Sequence, residues 1–407
     1  MQFNFEQLPM KSHSSLCKKA AYAVLSILVL GVMGLTHLNA QTFFTVGNFN
    51  YTINDDGVSA TLLSHVDGAE VTGEISIPAT ISYNGGNYAV TRIEKNAFIS
   101  CGKITGSLTI PNTVTFIGDN AFLACSGLTE LDLGNSVDTI GAAAFYGCKG
   151  LTGSLTIPNS VRAMGFGAFF GCTGFTGSLT IGDALTRIEA GAFYRCKGFS
   201  SLTIGHAVNS IGTSAFWDCT GFADSLTIPN SVNSIESNAF HNCSGFTGRL
   251  TLGSALESIG GMAFWNCSGF TEVVSLAPAP PVFSFDEVFE GVSCTTLTVP
   301  CHCIAAYESS EWHDYFTTVI EDCNPVAELD EKMATVYPNP THGTLHIEAE
   351  NIEGISVYNL LGEKLFEASA SGNSYEYDFS PQMTGIYFVQ IQTDKGIITK
   401  RVVVKDR

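Results

Sequence analysis

"GSLTIPNSVRAMGFGAFFGCTGFT" occupies Gly153–Thr176, and "GSLTIGDALTRIEAGAFYRCKGFS" follows at once over Gly177–Ser200. The same frame can be read outward from this pair in both directions. Its corner, "AFxxC", recurs eight times, with cysteines at Cys101, Cys125, Cys148, Cys172, Cys196, Cys219, Cys243 and Cys267. The steps between them are 24, 23, 24, 24, 23, 24 and 24 residues. A period this regular sets the architecture before local propensity does, because each copy is a unit that must stack on its neighbours.

Within a unit, "SLTI" alternates inward and outward residues as a half-buried strand does, with Leu155 and Ile157, then Leu179 and Ile181, facing in. Pro158 or Gly182 ends the strand, since proline cannot donate to a ladder and glycine frees the turn. Val161 and Met164, or Leu185 and Ile188, face in from a second segment. Phe169, Cys172 and Phe175 close the circuit. One unit buries too little apolar surface to offset the ordering of its backbone, whereas stacked units share ladders and faces. The expected fold is mainly β, a leucine-rich-repeat solenoid of about eight repeats of 23–24 residues over 98–271. At about 4.8 Å per rung it would run roughly 40 Å. Both ends need covers. Residues 41–97 supply an N-terminal cap and first partial repeat, with hairpins around "NDDG" at Asn54–Gly57, which reads as a turn and lacks an EF-hand's later ligands. Residues 272–323 form a degenerate repeat and C-terminal cap, where Phe289 and Cys294 echo the corner and Tyr307, Trp312 and Phe316 shield the last rung.

The chain is acidic, with 38 Asp+Glu against 19 Lys+Arg in 407 residues and a net charge of −19. It has no basic footprint for nucleic acid or anionic membranes. Residues 1–40 read as a signal peptide: Lys11, Lys18 and Lys19 precede the apolar run Ala20–Leu35, with cleavage between Ala40 and Gln41. The run is short for a bilayer, and no later segment could span one as a helix, so the mature protein is expected to have no transmembrane helix. Export places the remaining cysteines where disulfides are permitted.

The "LTIPNSVxxIGxxAFxxCxGFT" unit resembles the BspA-like, treponemal-type leucine-rich repeat over about residues 42–323. That resemblance implies a cell-surface or secreted protein that adheres to host matrix, host cells or other microbes. After an acidic linker at 324–335 the period vanishes, and strand-like runs joined by glycine turns suggest a small β-sandwich over 336–407. This tail is similar to the type A C-terminal sorting domain of type IX secretion. The similarity rests on Tyr337-Pro338-Asn339-Pro340 with Gly343, the block ending at Gly362, Gly385 and Tyr387 in "GIYF", and the last strand. It implies a Bacteroidota source, Sec export, passage through the type IX machinery, and a final place outside the cell or on its outer membrane.

The eight repeat cysteines lack the pairwise spacing of zinc sites. Their side chains point the same way on successive rungs, so a structural ladder of buried thiols is favoured over disulfides. Cys294, Cys301, Cys303 and Cys323 stand apart. With His302 and His313 nearby a metal cluster is conceivable, but disulfides are favoured, Cys301–Cys323 first. No GxSxG, HExxH or P-loop is present, so no enzyme and no cofactor are expected. The residue after each corner phenylalanine should face outward, aligning Tyr146, Phe170, Tyr194, Trp217, His241 and Trp265 behind Ile99 and Leu123. This stripe either recognises a protein or glycan or seals the solenoid's corner, each ring covering the next. The outward side of "SLTI" offers a Ser/Thr face instead. An extracellular binding protein is the first expectation, a structural envelope or biofilm-matrix component the second, and an enzyme with a site in the cap a distant third.

Overall fold

The computed structural model describes residues 43–66, 71–323, 334–359, 363–393 and 396–405. The signal peptide with its Ala40/Gln41 cut, most of the linker, and Gly362 lie outside these. The chain divides into two compact units between Glu321 and Asp322.

The repeats wind into a solenoid with parallel strands on two sides, each side broken into shorter sheets. One sheet side is built from the "SLTI" strands, such as Leu155–Ile157, Ser178–Ile181 and Ser201–Thr203. Leu155, Leu179 and Leu202 pair in unbroken register. The other side is built from two-residue strands, among them Arg187–Ile188, Ser210–Ile211, Ser234–Ile235, Ser258–Ile259 and Val282–Phe283. There Ile188, Ile211, Ile235, Ile259 and Phe283 align rung on rung. A slip of one residue would turn every apolar side chain outward, so the buried spine pins the register.

That spine is the stack of corner phenylalanines. Phe98, Phe122, Phe145, Phe169, Phe193, Phe216, Phe240, Phe264 and Phe289 follow one another with ring centroids 5.0–5.6 Å apart and planes within 2–9°. A second buried column, Phe175, Phe199, Phe222, Phe246 and Phe270, runs beside it at 4.8–6.4 Å. Phe289 takes the corner position in full. Cys294 does not: it is only half-buried and bonds to the Thr296 carbonyl.

Antiparallel strands Phe43–Val46, Phe49–Ile53 and Ser59–His65 cover the first rung, and the last of them continues in parallel onto Gly86–Ile93. "NDDG" is a turn. The Asp56 carboxylate accepts from the Ser59 hydroxyl at 2.6 Å and from the Val58 and Ser59 amides at 2.9 Å, which hold its carboxyl below the usual range. At the far end, Tyr307 on the helix Ile304–Glu308, Trp312 on the 3₁₀ turn Glu311–Asp314, and Phe316 are all buried. Trp312 and Phe316 lie 5.3 and 5.2 Å from the Phe289 ring and finish the stack. The Trp312 indole donates to the Pro281 carbonyl at 2.8 Å, so its one polar atom is satisfied under the cap. Cys301 and Cys323 are disulfide-bonded, tying the end of strand Thr318–Asp322 back to the start of the cap. Cys294 and Cys303 are free thiols.

The tail is a single five-stranded antiparallel sheet curled around one core that includes Leu345, Ile355, Val357, Val389 and Val402. Its Asn339 side chain donates to the Arg401 carbonyl and accepts from the Val403 amide, fastening the Tyr337–Pro340 motif to the last strand. Gly343 offers its carbonyl to Phe379, and the Tyr387 hydroxyl donates to the Met383 carbonyl. No helix among the described residues is long and apolar enough to cross a membrane.

Candidate functional site

Each corner is built the same way. A left-handed residue precedes Ala-Phe, the next residue points out, and a second left-handed residue precedes the cysteine. Ser214 and Asp218 hold these places around Trp217, with φ of 56° and 58°, and Asn238 and Asn242 hold them around His241, with φ of 61° and 58°. The outward residue's amide closes the turn, Trp217 onto the Ser214 carbonyl at 3.2 Å and His241 onto Asn238 at 3.1 Å. Turns then bond to turns, as Arg195 does to Trp217 at 2.7 Å and Asp218 to His241 at 2.9 Å. One rung therefore separates consecutive outward side chains.

That spacing is also the thickness of a ring pair, and the stripe stacks on itself. Tyr146, Phe170, Tyr194, Trp217, His241 and Trp265 follow at 4.6, 4.4, 5.8, 3.9 and 4.5 Å. All but Tyr194, which is buried, are half-buried. The faces are turned to one another, so ring edges meet solvent. Burial pushes the Tyr146 hydroxyl up, partly offset by Arg195, and pushes the His241 imidazole down against the pull of Asp218. His241, between two indoles, is thus a neutral ring at physiological pH.

Beside the stripe runs a polar rim that sequence reading did not pick out. Arg195 pairs with Asp218 at 3.4 Å, Asn242 donates to Asp218 at 2.6 Å, and Asn266 donates to Asn242 at 2.6 Å. These are the second left-handed positions of four successive corners. The signal was present in the column Gly147, Gly171, Arg195, Asp218, Asn242, Asn266, where residues tolerant of that conformation accumulate.

The eight repeat thiols form the other column. Each from Cys125 to Cys267 donates to the carbonyl of the preceding rung's corner phenylalanine at 3.0–3.1 Å. Burial raises their pKa values far above the ordinary thiol range. Cys101, on the first rung beneath the N-terminal cap, lies 4.0 Å from His65 Nδ1. Thiolate-dependent reagents should therefore leave the native ladder intact and modify Cys294 and Cys303. Counting thiols with an aromatic disulfide, before and after denaturation, checks this; rapid native reaction of the ladder would refute it. The Ser/Thr face is exposed to half-buried, and its hydroxyls partly satisfy each other, as Ser178 and Ser154 do at 3.2 Å. Cys301, Glu321 and Cys323 cluster, but both sulfurs are spent in the disulfide.

The geometry defines a leucine-rich-repeat solenoid with an all-β tail. Residues 91–223 and 220–300 match the model for the BspA type leucine rich repeat region in six copies. The chain belongs to that family. Residues 335–405 match the secretion system C-terminal sorting domain. The chain is similar to a leucine-rich repeat protein from Bacteroides ovatus ATCC 8483, at 20% identity over 69% of this chain and 76% of that one, with a TM-score of 0.49. It is also similar to a leucine rich cell surface protein from Faecalibacterium prausnitzii A2-165, at 21% identity over 70% and 96%, with a TM-score of 0.41. No curated protein matches the chain. Repeat family and sorting tail together make this a secreted or cell-surface leucine-rich-repeat protein.

Proposed function

We propose that this protein binds an extracellular protein or glycan of a host or another microbe through the aromatic stripe and its polar rim, as an adhesin does. Sec would carry it to the periplasm and the type IX machinery, engaging the tail, across the outer membrane of a Bacteroidota cell. The observation that carries the reading is the continuous column from Tyr146 to Trp265 with Arg195, Asp218, Asn242 and Asn266 alongside. Aromatic and arginine side chains supply most anchor residues of interfaces, and a neutral amide ladder adds hydrogen bonds without a large desolvation penalty.

The test is a binding screen of the mature chain against matrix proteins, mucins and glycans. A ligand found there should lose about tenfold or more in affinity on Trp217→Ala/Trp265→Ala, the loss typical of interface anchors. Unchanged affinity in that variant would remove the stripe as the site. Absence of any saturable binding would favour a structural role in the envelope or matrix.

A further inference from the structure

The N-terminal cap and the first rungs enclose a shallow open groove of about 470 Å³, far along the chain from the aromatic stripe. Ten of its twelve lining residues are polar or charged. Its floor is preorganised. Asn54 Nδ2 donates to the Ser59 hydroxyl at 2.7 Å and the Thr91 hydroxyl at 3.2 Å, while its Oδ1 accepts from the buried Thr61 at 2.6 Å. These bonds lock side chains of two strands onto the Asn54 turn before any ligand arrives. At the rim, Cζ of the Arg92 guanidinium lies over the Phe116 ring, 3.8 Å from its centroid. It makes no ion pair or side-chain hydrogen bond among the described residues, so its N–H fork is directed by stacking and unused. Asp55 and Glu94 stand on the same groove.

The chemistry of this lining narrows the ligand. With Asp55, Asp56 and Glu94 against one guanidinium, the groove repels anions. The carboxylates do not converge on a cation, since the one metal-capable cluster among the described residues is the cap's Cys301, Glu321 and Cys323. Only Ile53 and Leu63 are apolar, too little to seat a hydrophobic peptide side chain or a lipid. What suits hydroxyl-bearing threonines, an amide, acceptor carboxylates and one donor fork is a neutral compound rich in vicinal hydroxyls, each able to donate and accept. We infer that this groove is a saccharide site, holding one neutral sugar unit between Arg92 and the carboxylates of Asp55 and Glu94.

The site is independent of the stripe, so the two can fail separately. Saturation-transfer NMR on the mature chain with methyl glycosides of glucose, galactose, mannose and N-acetylglucosamine tests it. At least one should bind. Its affinity should fall about tenfold in Arg92→Ala and in Asp55→Asn, as loss of a hydrogen bond to a charged group predicts. It should stay unchanged in Trp217→Ala/Trp265→Ala. Arg92→Lys keeps the charge and the stem packing on Phe116 but loses the fork, so it should also weaken binding while leaving the unfolding midpoint in place. Failure of all four sugars to bind, or binding indifferent to Arg92 and Asp55, overturns the proposal.

Discussion

Phe193→Ala should destabilise the solenoid by about 3–5 kcal/mol, the range for removing a fully buried aromatic ring, and should break its cooperativity. Phe193 is fully buried and sits between Phe169 at 5.6 Å and Phe216 at 5.5 Å. Removing it opens a cavity in the middle of the spine and strips one face from each neighbour. Each lost aromatic pair adds about 0.5–1.5 kcal/mol beyond area burial. In a linear array the lesion acts on nearest-neighbour coupling, because each turn is held only by the turns beside it. The expected result in guanidinium unfolding is a lower midpoint and a transition that splits in two, one half on either side of the lesion. Phe264→Ala, near the C-terminal cap, should lower stability similarly yet leave one main transition from the longer N-terminal segment. Thr156→Ala, on the exposed sheet face, should change neither. A single unshifted transition in Phe193→Ala would show that the turns are not coupled through the phenylalanine spine.

The spine was legible because a 24-residue period and the strict Phe-x-x-Cys spacing leave one way to stack the corners. Once the stack exists, Phe193 and Cys196 face in and Tyr194 faces away from the spine. How far a ring so placed meets solvent is another matter. Tyr194 is buried because the rung spacing equals the thickness of a ring pair, so Phe170 and Trp217 cover it; that is a property of the assembled rungs, not of any one of them. The rim of Asp218, Asn242 and Asn266 escaped notice for a related reason. Those residues look like ordinary loop polars until the left-handed backbone is seen to aim them along one line. The groove near Arg92 could not be read at all. Thr91 and Thr115 keep the 24-residue step of the repeats and bond to each other on successive rungs, but Asn54 belongs to the cap's turn and has no place in that period, so only the folded cap brings it to them.

Gly198→Ala should be among the most damaging single-methyl changes in the protein. Gly198 lies two residues after Cys196 and has an ordinary negative-φ backbone, so any side chain would suit its dihedrals. Space forbids it. A Cβ built there would press into the Phe175 carbonyl oxygen of the preceding turn, well inside van der Waals contact. The same holds at Gly174 against Lys149, Gly221 against Lys197, Gly245 against Thr220 and Gly269 against Phe246. The obstacle is backbone, which cannot rotate away as a side-chain tip can. Relief requires two rungs to separate, breaking ladder bonds on both sides and unstacking the phenylalanines. The expected cost is about 4–5 kcal/mol or more, the exceptional tail of point mutations. Gly147→Ala is the matched control. Gly147 has φ of +69° and nothing within 4 Å of a built Cβ, so it pays only the left-handed penalty of about 1–2 kcal/mol. Arg195, Asp218 and Asn242 already carry side chains at the equivalent place. Soluble yield and unfolding midpoints of the two variants, measured side by side, decide the matter. Equal losses would mean that conformational freedom, not the close approach of successive turns, is what glycine provides at Gly198.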